Sequence, residues 1–159
     1  MTIRNATKED RDQLIGLIHK FDDYYIENNV FSEKLKQFID YKDKESLFVA
    51  MVDEYLNDEK YMMFVSEENG QLVGYICGDV KEKRNRILDK EGFIEDWFVL
   101  DTYRGKGVGR ELYERLLEEF KKADCNRLGL KAYAPNSTTI AMYERMGFVK
   151  TDIVMAKEL

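Results

Sequence analysis

A glycine-rich turn is the segment of this sequence whose residues are best suited to bind a ligand. Three glycines lie between Arg104 and Arg110, shortly after an apolar run that ends at Leu100. Backbone N–H groups at the start of a helix attract anions, and glycine lets a phosphate approach the backbone closely. We therefore expect a phosphorylated ligand here. The competing interpretation is a tight strand-to-helix turn without a ligand.

The spacing of the turn separates it from two other kinds of phosphate loop. A dinucleotide fingerprint that begins at Gly105 would need glycine or alanine at the position of Arg110. The pattern of a P-loop, in which a lysine and a hydroxyl residue follow the second glycine, cannot be drawn here either. The sequence therefore favours another class of phosphate binder.

Few other side chains in the sequence are reactive. Cys77, Cys125 and a single histidine, His19, cannot supply a His/Cys zinc cage or a disulfide framework. Cys77 and His19 lie on separate predicted elements, so we expect Cys77 to pack inside a strand rather than to act as a nucleophile. We expect no metal site.

Length and charge limit the class of protein. The chain has 159 residues, with 25 basic and 31 acidic side chains and a formal net charge of −6. A chain of this size buries a core of its own, so we expect residues 1–159 to form one domain. The acidic balance argues against nucleic acid and anionic membranes as partners. No apolar leader or membrane-spanning run is evident, so we expect a cytoplasmic protein.

The spacing of apolar residues predicts a mixed α/β chain that positions the turn. A first helix is expected from about Asp10 to Ile26, two shorter helical pieces between Phe31 and Asn57, and a hairpin around Asn69-Gly70. The run Gly92–Leu100 is apolar at nearly every position, which predicts a central strand covered on both faces. The basic residues after the hairpin are expected to form a solvated connection: Lys81, Lys83, Arg84 and Arg86.

The second half of the chain continues the alternation of helices and strands. A helix with a stripe that begins at Val108 follows the glycine turn, and Leu128 with Leu130 marks a strand. A last helix is expected to begin after Pro135 and to end at Gly147. Two terminal strands are then expected, at Phe148-Val149 and Ile153-Val154-Met155.

Two motifs in this order resemble the GNAT superfamily of N-acetyltransferases. Arg104-Gly105-Lys106-Gly107-Val108-Gly109 is similar to the coenzyme A signature of that family, and Asn136 with Tyr143 seven residues later matches its asparagine and tyrosine. The resemblance covers essentially the whole chain. It implies the GNAT fold, an α/β domain whose central, mostly antiparallel, twisted sheet has six to seven strands flanked by about four helices.

The resemblance implies acetyl-CoA as the co-substrate and requires no metal. The pyrophosphate would bind the amides of the turn, the pantetheine would run along β-strand residues like an extra strand, and Asn136 would touch the pantetheine arm. The N–H of Val99 would then grip the oxyanion of the tetrahedral intermediate, an effect of about 3 kcal/mol. The implied cofactor-binding residues are Trp97, Phe98, Val99, Arg104, Gly105, Lys106, Gly107, Val108, Gly109, Arg110 and Asn136.

A primary amine needs a base before it attacks a thioester, because it is mostly protonated at neutral pH. Strand alternation places Phe93, Glu95, Trp97 and Val99 on one face, and Ile94, Asp96 and Phe98 on the other. We expect Glu95 to be the base or to bind the cationic amine. Asp96 takes either role if a bulge shifts the register.

The departing thiolate needs a proton, and by resemblance Tyr143 is the general acid; the alternative is a packed core aromatic. Some members of the family carry a basic glutamate five residues before the asparagine, where this sequence has Lys131. That base is therefore absent. The acidic residues of the first helix are expected to be a solvated face or, alternatively, a wall that attracts a cationic substrate: Asp22, Asp23 and Glu27.

The strand motif from Ile94 to Val99 is similar to that of diamine and polyamine acetyltransferases such as spermidine/spermine acetyltransferases. We expect direct transfer of acetyl to the primary amine of a small cationic molecule. The alternatives are a protein N-terminal or lysine acetyltransferase and a non-catalytic acyl-CoA-binding regulatory module. The short turn Thr151-Asp152 leaves a strand edge that we expect to be used in a homodimer.

Overall fold

A five-stranded sheet forms the centre of the fold in the computed structural model, which describes residues 1–28 and 30–159 but not the side chain of Glu27. The strands follow the sheet order β1-β2-β3-β4-β5, the first four antiparallel and β5 parallel to β4. Their bounds are β1 Thr2–Asn5, β2 Met62–Glu68, β3 Gln71–Glu82, β4 Lys90–Val99 and β5 Arg127–Leu130. The mixed, mostly antiparallel sheet is confirmed, whereas six to seven strands is wrong for the described residues.

The described part of the chain forms five α-helices. They are α1 Arg11–Glu27, α2 Glu33–Ile39, α3 Lys44–Asn57, α4 Val108–Lys122 and α5 Ser137–Arg145, with short 3-10 turns at Lys8–Asp10 and Asp101–Tyr103. Of these helices, α1, α3 and α4 pack on the sheet. The first helix therefore lies within one residue of its predicted bounds. No helix of the described residues is long and apolar enough to cross a membrane.

The core is divided by the sheet into two apolar clusters. On one side, α1 and α3 pack against β3 and β4 through residues such as Leu14, Val52 and Tyr75. On the other side, Leu112 and Leu116 of α4 lead a cluster that packs against the opposite face. Both faces of the sheet are covered, as the run Gly92–Leu100 predicted for its strand, and β3 is buried at every position from Leu72 to Asp79.

The C-terminal segment differs from the prediction, because residues 149–159 form no strand. Ile153, Val154 and Met155 have exposed fractions of 84%, 92% and 89%. Three consecutive apolar residues indicated a strand, but a strand needs a partner, and β5 pairs only with β4 through four residues. The absent terminal hairpin accounts for the difference in strand number.

Candidate active site

A β-bulge in β4 decides which side chains reach the site. Cys77 of β3 pairs with Asp96, whereas the next residue, Gly78, pairs with Ile94, so Glu95 has no partner in the ladder. An extra residue in one strand shifts the alternation of side chains beyond it. Strict alternation along the strand is therefore wrong, and the bulge that would make Asp96 a functional acid is present.

The bulge brings Glu95 and Asp96 to the same face of the sheet. Asp96 contacts Tyr55 of α3, and Glu95 contacts Lys81 of β3. Ile94 instead lies in the cluster on the α4 side, together with Val99. Two neighbouring carboxylates thus lie on the α1/α3 side, where alternation allowed only one.

Asp96 has an environment suited to acid–base chemistry. Its Oδ2 accepts a hydrogen bond of 2.9 Å from the hydroxyl of Tyr55, and the residue is partly buried. Burial raises the pKa of Asp96 to about 6, while the Tyr55 hydrogen bond opposes that rise and the charge of Glu95 adds to it. A carboxylate of this pKa is ionised at neutral pH and can accept a proton.

Glu95 lies in a different environment, because its carboxylate is already paired. The ammonium of Lys81 contacts Glu95 and lies 3.7 Å from the centroid of the Phe93 ring. The solvated connection predicted for the basic run holds only in part: Arg84 and Arg86 are exposed, whereas Lys81 lies on β3 and Lys83 pairs at 2.9 Å with the nearly buried carboxylate of Glu91. Glu95 therefore occurs in a charged cluster rather than as an isolated acid.

A narrow cleft opens where β4 and β5 separate. The two strands pair up to Ile94 and Leu130, after which β5 ends and β4 continues to Val99. The cleft has a volume of about 40 Å³, and its lining includes Tyr25, Asp96, Trp97, Asn136 and Tyr143. Four of the predicted site residues are thus brought together here, together with the alternative acid Asp96: Glu95, Trp97, Asn136 and Tyr143.

Aromatic side chains form one wall of this cleft. Trp97 stacks on Tyr113 of α4 at 5.4 Å and on Tyr143 of α5 at 6.2 Å, measured between ring centroids. Burial, with a smaller effect of the Asp96 charge, raises the pKa of Tyr143 to about 12. The Tyr143 hydroxyl is therefore protonated at neutral pH and can act as a donor.

The glycine turn forms the start of α4. Gly105 and Gly107 have φ values of +72° and +90°, a conformation that side-chain residues rarely adopt, and Gly107 is the N-cap of the helix. The next residue, Val108, is buried in the core at 1% exposure. This arrangement presents the free N–H groups of a 15-residue helix at the turn.

The cations of the turn differ in where they lie. The side chain of Arg110 is 82% exposed and pairs with Glu114, and the Lys106 ammonium lies 5.2 Å from the ring centroid of Tyr103. Both are on the surface beside the helix start, where a phosphate would arrive. Gly109 faces Trp97: a Cβ at this position would lie 3.6 Å from the indole nitrogen.

Arg104 lies at the surface and makes contacts that the sequence did not reveal. Its Nε donates a hydrogen bond of 2.9 Å to the carbonyl of Val99, its guanidinium lies 4.4 Å from the ring centroid of Tyr24, and it pairs with Asp101. The side chain thus joins the end of β4 to α1. Its predicted contact with the cofactor stays a prediction.

Three further predicted residues have clear structural roles. Asn136 is 6% exposed and caps α5, because its Oδ1 accepts a hydrogen bond from the Thr139 N–H. Phe98 and Val99 are buried on opposite sides of the sheet, so only their backbones are available to a ligand. These positions fit a cofactor that runs along the strand edge as an extra strand.

The sequence did not identify Tyr55 and Tyr25 as parts of the site. Tyr55 lies on α3, 41 positions before Asp96, and its hydroxyl contact is visible only once α3 packs on the sheet.

Cys77 is fully buried, and burial raises the pKa of its thiol well above the ordinary value. His19 contacts Glu45 and Phe48 instead, so the expectation of a packed Cys77 is consistent with the fold.

The family model of the Acetyltransferase (GNAT) family matches residues 12–148. The chain belongs to the GNAT family. Among the relatives of this GNAT chain is an uncharacterized N-acetyltransferase of Methanocaldococcus jannaschii, 27% identical over 157 residues that cover 96% of this chain and 62% of that protein. The chain therefore spans less than two thirds of that relative. We regard the chain as a GNAT-family N-acetyltransferase domain.

Two further similarities concern acceptor and cofactor. The ribosomal protein bS18-alanine N-acetyltransferase of Escherichia coli is 32% identical over 95 residues, which cover 60% of either protein. The solved structure of aminoglycoside N-acetyltransferase AAC(6')-Iy in complex with CoA has a TM-score of 0.73 and 18% identity, with 99% of this chain and 93% of that chain covered. The latter similarity establishes the fold alone. Among the described residues, no group of three or more His, Cys, Asp or Glu side chains could hold a metal.

Proposed function

We propose that this GNAT domain transfers the acetyl group of acetyl-CoA directly to the primary amine of a small cationic acceptor of the diamine or polyamine type. The observation that carries the proposal is the bulge at Glu95, which places two carboxylates on one sheet face beside the cleft. The glycine turn lies at the end of the same strand. A thioester bound along β4 would therefore meet an amine that approaches the carboxylates.

The turn and the strand edge fit acetyl-CoA as the co-substrate. Positive φ values at Gly105 and Gly107 expose backbone N–H groups, and Lys106 and Arg110 lie on the surface nearby. Such N–H groups bind a pyrophosphate through the helix start. The separation of β4 from β5 leaves a strand edge for the pantetheine, beside the buried Asn136. Val99, the last residue of β4, stays our candidate donor for the oxyanion.

Asp96 is our candidate for the base. Its pKa of about 6 lies about 2 units above the ordinary value of 3.8. Proton transfer from an amine to this carboxylate is therefore about 3 kcal/mol less unfavourable than transfer to an ordinary carboxylate. Glu95 stays the second candidate, but its Oε1 already accepts a hydrogen bond from the Lys81 ammonium, so that oxygen is not free to take a proton from an amine. As the amine nitrogen attacks the thioester carbon, its proton passes to the carboxylate, directly or through a water.

Tyr143 is our candidate for the acid. Its hydroxyl is protonated at neutral pH, as tyrosine ordinarily is, and burial raises its pKa to about 12, which favours a hydrogen bond to the thiolate over full proton transfer. When the tetrahedral intermediate collapses, the carbon–sulfur bond breaks and the thiolate accepts a proton or a hydrogen bond from this hydroxyl. The stacking of Tyr143 on Trp97 holds the ring beside the β4 edge.

A thiol-release assay with purified protein and acetyl-CoA tests this function. We expect thiol release with polyamines and diamines, and loss of most of that rate in Asp96→Asn. Glu95→Gln distinguishes the two carboxylates. The acidic limb of the pH–rate profile should be lost only when the residue that acts as the base is replaced, so we expect it to be lost in Asp96→Asn and kept in Glu95→Gln. An enzyme whose rate depends on Glu95 and not on Asp96 would reverse the assignment. Tight CoA binding without thiol release from any amine would favour a regulatory module.

Acetylation of a protein N-terminus is the second candidate function. It is favoured by the 32% identity to the enzyme named for the alanine of ribosomal protein bS18. Incubation with peptides that begin with alanine, under the same assay, decides between the two. Rapid peptide acetylation with inert diamines would favour this second function.

Two properties of the assembly stay proposals. We propose a homodimer in the cytoplasm, with the apolar C-terminal residues and the edge of β5 as the candidate contact. Light scattering on the purified chain tests the dimer. A single monomeric mass at all concentrations would contradict it.

A further inference from the structure

A charged cluster beside Asp96 has the composition of an ammonium-binding site. The ammonium of Lys81 contacts the carboxylate of Glu95, lies 3.6 Å from Asp79 Oδ1, and lies 3.7 Å from the Phe93 ring centroid. Two carboxylates and an aromatic face are the groups that bind alkylammonium ions. We call Asp79, Glu95 and Phe93 the cation subsite; in this structure the chain's own lysine occupies it.

Asp79 shows that Lys81 does not satisfy the cation subsite fully. The residue is only 8% exposed, and its buried Oδ1 has no hydrogen-bond partner. A buried carboxylate oxygen without a donor costs folding free energy. Burial, with the charge of Glu95, also raises the pKa of Asp79, although the Lys81 charge opposes this. Asp79 Oδ1 can therefore accept a hydrogen bond from a further N–H donor.

The cation subsite lies on the same sheet face as Asp96. Asp79 pairs with Phe93, and Cys77, two residues before it on β3, pairs with Asp96. Residues two apart on a strand share a face and lie about 7 Å apart. Burial raises the pKa of the Cys77 thiol, and the nearby charges of Asp96, Glu95 and Asp79 add to that rise. Glu95 lines the cleft beside Asp96 and also contacts Lys81, so the cation subsite adjoins the cleft through Glu95.

We infer that the cation subsite binds the second ammonium of a diamine acceptor while the first amine reacts beside Asp96, and that Lys81 is a specificity-determining residue. This inference rests on the proposed function. A chain of four or five methylene groups, with bonds of about 1.5 Å, spans a separation of about 7 Å. The incoming ammonium gives Asp79 its missing donor, and no covalent step is needed at this subsite.

Lys81 sets the preference because its charge competes with that of the acceptor. Together, Asp79, Glu95 and Lys81 carry one net negative charge; without the lysine charge they carry two. The Lys81 side chain is 34% exposed, so it can move toward solvent when a diamine arrives. Removing its charge therefore strengthens the binding of a second ammonium, whereas removing the charge of Asp79 weakens it.

The test compares 1,4-diaminobutane with butylamine, which has the same chain and only one amine. In the thiol-release assay, the ratio of kcat/KM for diamine to monoamine should fall about tenfold in Asp79→Asn and rise about tenfold in Lys81→Gln. Lys121→Gln, an equal change on the exposed surface of α4, is the matched control and should leave the ratio unchanged. A ratio that is the same in all three variants would overturn the inference.

Binding measurements separate this inference from the proposed function. Calorimetric titration of the CoA-bound protein with each amine measures the subsite without turnover. Tighter binding of 1,4-diaminobutane in Lys81→Gln, with no matching change for butylamine, supports the subsite even if no amine releases thiol. Equal changes for both amines contradict it. Loss of thiol release with every amine contradicts the proposed function alone.

Discussion

The hydrogen bond from Tyr55 to Asp96 gives the sharpest prediction about the candidate base. Its length is 2.9 Å, and it lowers the pKa of Asp96 against the effect of burial. A hydrogen bond to a charged group contributes about 1.5–3 kcal/mol, and one pKa unit corresponds to about 1.4 kcal/mol. Tyr55→Phe should therefore raise the pKa of Asp96 by about 1 to 2.

The assay is the pH dependence of kcat/KM for thiol release. Because a base must be deprotonated to act, the rate of the parent enzyme should rise with pH through about 6 and then level. In Tyr55→Phe the rise should move to about pH 7–8. Tyr55 acts through Asp96 and is a positioning residue. The maximal rate at higher pH should therefore change little, although the pH at which the rate rises should shift.

Tyr61→Phe is the matched control for this prediction. Tyr61 also donates its hydroxyl to a carboxylate, Glu54, at 2.9 Å, and its ring packs on that of Tyr55 with 4.8 Å between centroids, but its hydroxyl does not contact Asp96. In Tyr61→Phe, kcat/KM should rise at the same pH as in the parent enzyme. A limb that stays in place in Tyr55→Phe, or moves equally in Tyr61→Phe, would refute the reasoning.

Three further predictions concern the acid, the turn and the fold. Tyr143→Phe should lower kcat by about 10²-fold or more and leave the CoA affinity in calorimetry unchanged; full activity would remove its acid role. Gly107→Ala, at φ +90°, should cost about 1–2 kcal/mol and weaken CoA binding, whereas Gly16→Ala, in open space on α1, should not weaken it. Arg4 holds the pKa of Asp10 below its ordinary value, so Asp10→Asn should lower the free energy of unfolding in urea by about 2 kcal/mol at pH 7. That difference should be lost as pH falls through the folded-state pKa of Asp10; a constant difference would contradict the ion pair as its cause.

Local patterns explain which parts of the fold were predictable. The hairpin followed from Asn69-Gly70, whose φ values are both positive, and α4 followed from a stripe that starts at Val108 and lies on the core. The glycine turn was identified because positive φ restricts the choice of residue. Each of these signals depends on neighbours within a few positions.

The remaining features depend on long-range pairing, which no local pattern encodes. The bulge at Glu95 arises where β3 and β4 meet, so only the register of both strands reveals it. Likewise, the sequence placed Lys81 in a solvated basic run. Its partners are three strand residues outside that run: Asp79, Phe93 and Glu95. The terminal strands failed for the same reason, because apolar residues at Ile153–Met155 have no partner strand.

Thiol release with a broad panel of amines measures the central claim most directly. The purified protein, supplied with acetyl-CoA, should release free thiol with small diamines or polyamines and form one acetylated amine per thiol. Asp96→Asn should lose most of that release while it still binds CoA. A parent protein that binds CoA tightly but releases no thiol with any amine or peptide would contradict the account.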